Sequence, residues 1–324
     1  MTALDGESGE IVWRRGLDGT VFGGMDRHDG VIAVGTLDGV LYGLSEVSGE
    51  KLREFRLDAP ATGDAFFYRD GFFLGDAAGN FYKIAAASGR VLFKKRIAAQ
   101  RFQKRGAAQD GVIYIGAWDG TLYAVDAADG KTLWRWKSER NYRFYSPGNS
   151  GIAVREGKVY FAHPDRWVRA LDGATGRELW ASDSSMVRES FAASADGSLF
   201  LAKTLDCKLS LIPPDGGAPT QVPLEVAGKL GDRTASAQGM RFSGGVFEPG
   251  PRHKDVTALA PVEWNGVYWT GSDNGAVRGI DKKTLRIVFR GELGSEVTGF
   301  AVAADGGALF AGTLGGALWR IGRI

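Results

Sequence analysis

The chain has 324 residues, 44% hydrophobic and 24% charged, with a formal net charge of +2. That balance suits a globular protein with a large core, and so small a charge argues against nucleic acid as a partner. Cys207 is the one cysteine, which excludes an intrachain disulfide and a cysteine-only metal site, and no apolar run approaches the roughly 18 residues of a membrane helix.

The chain opens on MTALDGESGE, without the basic-then-apolar pattern of a secretory signal. As written this places the protein in the cytoplasm; removal of a targeting segment would place it in the periplasm. GEIVWRR at Gly9–Arg15 reads as a strand, and from there one unit recurs. A D-G-type turn appears as TLDGV (Thr36–Val40), DAAGN (Asp76–Asn80), AWDGT (Ala117–Thr121) and HPDRW (His163–Trp167). It continues as TLDCK (Thr204–Lys208), SDNGA (Ser272–Ala276) and TLGGA (Thr313–Ala317). The fourth residues of these turns, Gly39, Gly79, Gly120, Arg166, Cys207, Gly275 and Gly316, are spaced by 40, 41, 46, 41, 68 and 41. A period of about 40 residues is that of a propeller blade.

Each unit has one internal order. A first strand, A, precedes an apolar run such as GVIYIGA (Gly111–Ala117), which supplies strand B. The D-G turn leads to strand C (LYAVD, Leu122–Asp126), and a small-residue turn leads to strand D (KTLWRWK, Lys131–Lys137). Short β-branched and aromatic runs bounded by Gly, Asp and Asn read as hairpin-linked strands, and no window of about ten residues carries a helical apolar period. The pattern predicts an all-β fold: a seven-bladed β-propeller of four-stranded antiparallel blades, one domain over residues 1–324. The last blade is expected to take strands A–C from the C-terminus, with ALWRIGR (Ala317–Arg323) as C, and strand D from the N-terminal GEIVWRR. Tyr42, Tyr82, Tyr123 and Trp319 share one C-strand position, and Trp13, Phe93, Trp134, Trp180 and Phe289 share one D-strand position. Aromatics at fixed repeat positions read as packing between blades; Arg53 and Ser210 break the two rules.

The pattern D-G-x-[LV]-Y-A-[LV]-D-A-x-[TD]-G-K-x-L-W, clearest at Asp119–Trp134 and Leu171–Trp180, resembles the pyrroloquinoline quinone (PQQ)-like β-propeller repeat. That superfamily includes quinoprotein dehydrogenases and a lipoprotein of the outer-membrane barrel-assembly machine. The dehydrogenases usually carry eight blades, a vicinal Cys pair and an acidic calcium site. Seven units and one Cys depart from that, so no PQQ and no other cofactor are expected. The lipoprotein, typically eight-bladed and exported with a lipid-modified Cys, implies a binding role without a cofactor.

Function on a repeat fold sits where the consensus breaks. The D-to-A and B-to-C connections of a propeller open on one face, and here the D-to-A segments are uneven. They read QRFQKRG (Gln100–Gly106), SERNYRFYSPGNS (Ser138–Ser150), SMVRES (Ser185–Ser190) and a Gly-rich insertion at Val226–Asp255 in blade six. The insertion is too short for another blade and reads as a lid or partner-binding loop without structure of its own. Arg101, Lys104, Arg105, Tyr142, Arg143, Tyr145, Arg188, Arg241 and His253 lie in these segments, and Arg166 joins them from a B-to-C turn. Converging cations with interleaved aromatics point to a basic top face for an anionic ligand, an acidic peptide or a protein partner. The competing reading is charge balanced locally, with Arg101 and Glu296, and Lys104 and Asp64, at equivalent positions.

Three histidines exist, His28, His163 and His253, and no spacing matches a metal-ligand signature. In an enzyme, His163 or His253 would serve as base, with Arg143 and Arg188 holding an anionic substrate. No nucleophile elbow, Ser-His-Asp order or phosphate loop is present. Cys207, between Lys203 and Lys208, stands in for a turn glycine and reads as an incidental substitution. The leading reading is a non-catalytic recognition scaffold on the basic face. The alternatives are an enzyme or accessory protein of a biosynthetic pathway acting on a small anionic substrate, and a periplasmic barrel-assembly-like factor.

Overall fold

The computed structural model describes residues 1–139, 146–163, 165–182, 187, 189–225, 240–243, 246–249, 255, 257, 259–303 and 305–322. Among them all regular structure is β, apart from a 3-10 turn at Pro147–Asn149. Blade one is built from Asp26–His28, Val31–Gly35, Val40–Ser45 and Lys51–Arg56, hydrogen-bonded in that order. Blade two (Phe66–Tyr68 to Val91–Arg96), blade three (Ala107–Gln109 to Thr132–Lys137) and blade four (Ile152–Arg155 to Glu178–Ser182) repeat the order. So do blade five (Ala192–Ala193 to Thr220–Pro223) and blade six (Val262–Trp264 to Ile287–Glu292). Blade seven shows Val297–Val302, Leu309–Thr313 and Leu318–Ile321. This is the seven-bladed β-propeller expected from the repeat.

Two local features make the blade. The turn aspartate ties strand C to its own start: Asp76 accepts hydrogen bonds from the backbone N–H of Ala78 and Asn80 and, 2.9 Å away, from the Tyr82 hydroxyl. Asp119 and Tyr123 repeat this at 2.6 Å. In blade four a carboxylate and guanidinium do the same work, Asp165 meeting Arg169 at 2.5 Å with both buried. The D-strand ring covers the glycine of the next C-to-D turn. Gly49 lies under Trp13, Gly130 under Phe93, Gly176 under Trp134 and Gly216 under Trp180, where an added Cβ would stand 2.4–2.8 Å from the ring. Trp13 and Trp134 also donate their indole N–H to the turn carbonyls of Glu46 (3.0 Å) and Gly173 (2.8 Å).

Contact density divides the chain into two units, residues 1–164 with 170–179, and residues 165–169 with 180–324. The first unit's core runs through Phe66, Phe73, Phe81, Phe102 and Ile115, all at most 2% exposed. The second is packed around Leu201, Leu209, Tyr268 and Ile280, and around Trp269, Val277 and Leu309.

Closure differs from the expectation. Ile11–Arg14 pairs antiparallel with Thr2–Leu4, with Ala3 opposite Trp13, rather than supplying strand D to blade seven. The cause is local. Asp5 accepts from the N–H of Glu7 and Ser8, and Gly9 turns at φ 74 and donates to the Asp5 carbonyl, as Gly130 does to Asp126. Thr2–Leu4 is therefore a C strand with its own D strand attached. Trp319, read as a packed C-strand aromatic, is 44% exposed, whereas Tyr42, Tyr82 and Tyr123 are buried. The insertion also has regular structure: Met240–Ser243 pairs antiparallel with Val246–Pro249.

Candidate functional site

The end of strand B explains how the D-to-A segments are held. Gly35, Gly75 and Gly116 end this strand in the first three blades, and the following segment crosses directly over each. A Cβ on Gly75 would stand 2.2 Å from the Phe102 ring, and one on Gly116 2.4 Å from Pro147. Phe102 is fully buried by this fit and bridges to Ala117. Burying Phe102 leaves Arg101 exposed and Gln103 half-buried at the surface.

There they meet the blade-three turn. Trp118 N–H donates to the Arg101 carbonyl at 2.9 Å, and the Arg101 guanidinium lies over the Trp118 ring, 4.0 Å from its centroid. The indole N–H donates to Gln103 Oε1 at 2.8 Å, which fixes the ring. Lys104 is tied by its N–H to the Gly148 carbonyl at 3.1 Å, and its ammonium has no carboxylate partner among the described residues. Arg105 is different. Its guanidinium meets Asp26 at 3.0 Å, and its N–H donates to Asp64, which also accepts from the Gly24 N–H. So Asp64 pairs with the Arg105 backbone rather than with Lys104. Glu296 accepts from the Thr257 hydroxyl at 3.2 Å. Among the described residues Arg101 and Lys104 thus meet no carboxylate, whereas Arg105 is paired with Asp26.

His163 is 3% exposed, edge-on to Trp136 at 5.5 Å and to Phe161 at 6.4 Å. A ring so enclosed is not placed to take a proton from a substrate. His28 stacks on Phe67 at 3.6 Å. Arg166 is exposed, at φ 72, in the turn. Tyr142, Arg143, Tyr145, Arg188 and His253 lie outside the described residues, and Arg241 is placed only as part of a strand. Among the described residues no group of three or more His, Cys, Asp or Glu could hold a metal ion, and no helix is long and apolar enough to cross a membrane.

Blade five breaks the repeat at the end of strand B. Lys203 ends strand B where blades one, two, three and six have glycine, and its ammonium is held 2.7 Å from Asp255 and 2.5 Å from the Gly271 carbonyl. Both side chains are 1% exposed. Burial draws the Lys203 pKa below its ordinary value, against the pull of Asp255. Burial also pushes the Cys207 thiol up to about 11, so it is not an activated thiolate.

Trp118 and Gln103 were not legible as site residues from their segments alone. The signal was the second position of the D-G turns, where a tryptophan stands in place of Leu37, Ala77, Leu205 or Leu314. Asp26 gave none, being 79 residues from Arg105.

The family of the outer membrane protein assembly factor BamB matches residues 1–106 and 101–224. Over 133 residues, 39% of this chain and 32% of that protein, the chain is 31% identical to BamB of Escherichia coli (strain K12). Over 153 residues, 41% of this chain and 38% of that one, it is 26% identical to BamB of Yersinia pestis. The match thus spans about a third of the length of these relatives. The crystal structure of BamB from Moraxella catarrhalis superposes with a TM-score of 0.69 at 18% identity, covering 97% of this chain and 86% of that one. The computationally designed Ika8 protein gives 0.73 at 17% identity, covering 98% and 87%. A natural assembly factor and a design agree equally well, so at this identity the likeness is one of fold.

Proposed function

The chain belongs to the family of the outer membrane protein assembly factor BamB, and from that membership we propose that it is a non-catalytic scaffold holding a protein partner at the Arg101–Trp118 rim. The carrying observation is the guanidinium stacked on an indole whose N–H is already fixed by Gln103, with Lys104, on the same segment, meeting no carboxylate among the described residues. Tryptophan and arginine supply much of the binding free energy at protein interfaces, above all when pre-ordered. A site for a small anion has less support, because Arg105, the third cation of the segment, is matched by Asp26. An enzyme reading has less again, with His163 enclosed by Trp136 and Phe161. The relatives' name favours work beside the outer membrane, hence a periplasmic location over the cytoplasmic one.

The test is co-purification of outer-membrane assembly complexes from solubilised envelopes by the full chain. Trp118→Ala and the pair Arg101→Glu, Lys104→Glu are expected to lower recovery about tenfold, the loss of one hot-spot contact of about 1.4 kcal/mol. Arg290→Glu, altering an exposed cation paired with Glu225, serves as the control. Equal recovery by all of these proteins would refute the rim as the binding surface.

A further inference from the structure

One cross-strand row packs blade against blade; it is aromatic at both ends in blades two, three and six, and is Leu201, Leu211, Thr220 in blade five. It reads Phe73, Lys83, Phe93 in blade two, Tyr114, Ala124, Trp134 in blade three, and Trp269, Gly279, Phe289 in blade six. In blade one the same row is Ala33, Gly43, Arg53. Two rings are missing from one row, and a cleft opens there, lined by Ala33, Gly43, Arg53, Phe55, Phe72 and Ile84.

Arg53 takes over the polar half of the lost indole. Its Nη1 donates to the Ala86 carbonyl at 2.6 Å and its Nη2 to that of Ala87 at 2.5 Å. Ala86 holds the turn position of Glu46 and Gly173, the carbonyls that accept from Trp13 and Trp134. The side chain passes over Gly89 as the indoles pass over Gly49 and Gly176. Its apolar half is not replaced. At the mouth Glu54 is neutralised by Lys51 at 2.7 Å, while Arg53 has no carboxylate partner among the described residues. The cleft therefore offers apolar walls, one uncompensated guanidinium and a carbonyl already shown elsewhere in the chain to suit an indole N–H.

We propose that this cleft is a docking slot for one tryptophan side chain carried by a partner polypeptide. Closed, it has a volume of about 30 Å³, room for a water or two. Entry follows when Arg53 turns off the Ala86 and Ala87 carbonyls. The guest indole then donates to the Ala86 carbonyl, and the guanidinium stacks on the negative face of the ring, the charge complement of the mouth. The slot is independent of the Arg101–Trp118 rim, so either can fail alone.

The full chain is titrated with N-acetyl-L-tryptophanamide, with N-acetyl-L-leucinamide and free indole in parallel, by ligand-detected saturation-transfer NMR. Saturable binding of the tryptophan amide is expected, at least about tenfold tighter than that of the leucine amide. Arg53→Trp restores the chain's own ring and Ala33→Phe copies blade two; each should weaken the tryptophan amide about tenfold or more with the folded spectrum retained. If Arg53→Trp does not fold, Ala33→Phe decides. Absence of saturable binding, equal binding by the filled variants, or equal binding of the leucine amide overturns the slot. Tighter binding of free indole than of the amide overturns its assignment to a polypeptide.

Discussion

Lys203 and Asp255 give the sharpest test of the packing. Both side chains are 1% exposed, and their charged atoms lie 2.7 Å apart. In Asp255→Ala the ammonium keeps, among the described residues, only the Gly271 carbonyl at 2.5 Å as a hydrogen-bond acceptor, and burial already disfavours its charge. In Lys203→Met the carboxylate keeps, among the described residues, only the N–H of Thr257 at 3.1 Å and the more distant N–H of Asp273 at 3.4 Å. Stranding one member of a buried pair costs about 3–5 kcal/mol, while replacing both with apolar groups of similar volume is close to neutral. Each single variant should therefore lose about 3–5 kcal/mol, and Lys203→Met/Asp255→Leu should lie within about 1–2 kcal/mol of the parent. Urea denaturation followed by tryptophan fluorescence measures the cycle, and Tm should fall by roughly 6–10 °C in the singles, at about 2 °C per kcal/mol for a large domain. Single losses under about 1 kcal/mol, or a double variant equal to the sum of the singles, would refute the pair as a buried, mutually dependent unit.

Gly75→Ala should lower stability by about 1–3 kcal/mol, read as a shift in urea midpoint, because its Cβ would meet the buried Phe102 ring at 2.2 Å. Gly299→Ala, with nothing near its Cβ, should change it far less. Stability should also fall as pH rises through the alkaline range. Burial holds the Tyr123 phenol protonated up to about 12 against 10.0, and the Cys207 thiol up to about 11 against 9.0. Between the unfolded and folded values the native state holds the extra proton, so this stability is whole below about pH 9 and is lost towards pH 12. Tyr123→Phe should flatten the upper part of that decline in Tm measured against pH; an unchanged slope would refute the assignment.

The blades were legible because their turns demand unusual backbone. Glycines such as Gly39, Gly79 and Gly120 stand at φ 75, 84 and 83, so the same letters recur wherever the turn recurs. The break at Arg53 was legible too, since one register position changed type, although its cleft needed the partner strands to be seen. Lys203 reads in the sequence only as a cation beside Cys207; its burial against Asp255 was not legible, because the end of strand B carries no turn signal and is set by a crossing segment, a contact between distant parts of the chain. Closure was misread for a local reason. TALDGESGE repeats the C-to-D hairpin of VDAADGK, and a strand with a neighbour so close in sequence pairs with it.

Where a D-strand ring covers a turn glycine, as Trp13, Phe93, Trp134 and Trp180 do, the last strand of one blade fastens the blade that follows. Tension along the chain would pass from sheet to sheet through single residues. The joint at Arg53 is pinned by two hydrogen bonds where its neighbours have an aromatic plate, and is expected to yield before the joints at Trp13 and Phe93. A molecule assembled this way carries its rupture point as one substitution, and its order of unzipping under load can be rewritten a residue at a time.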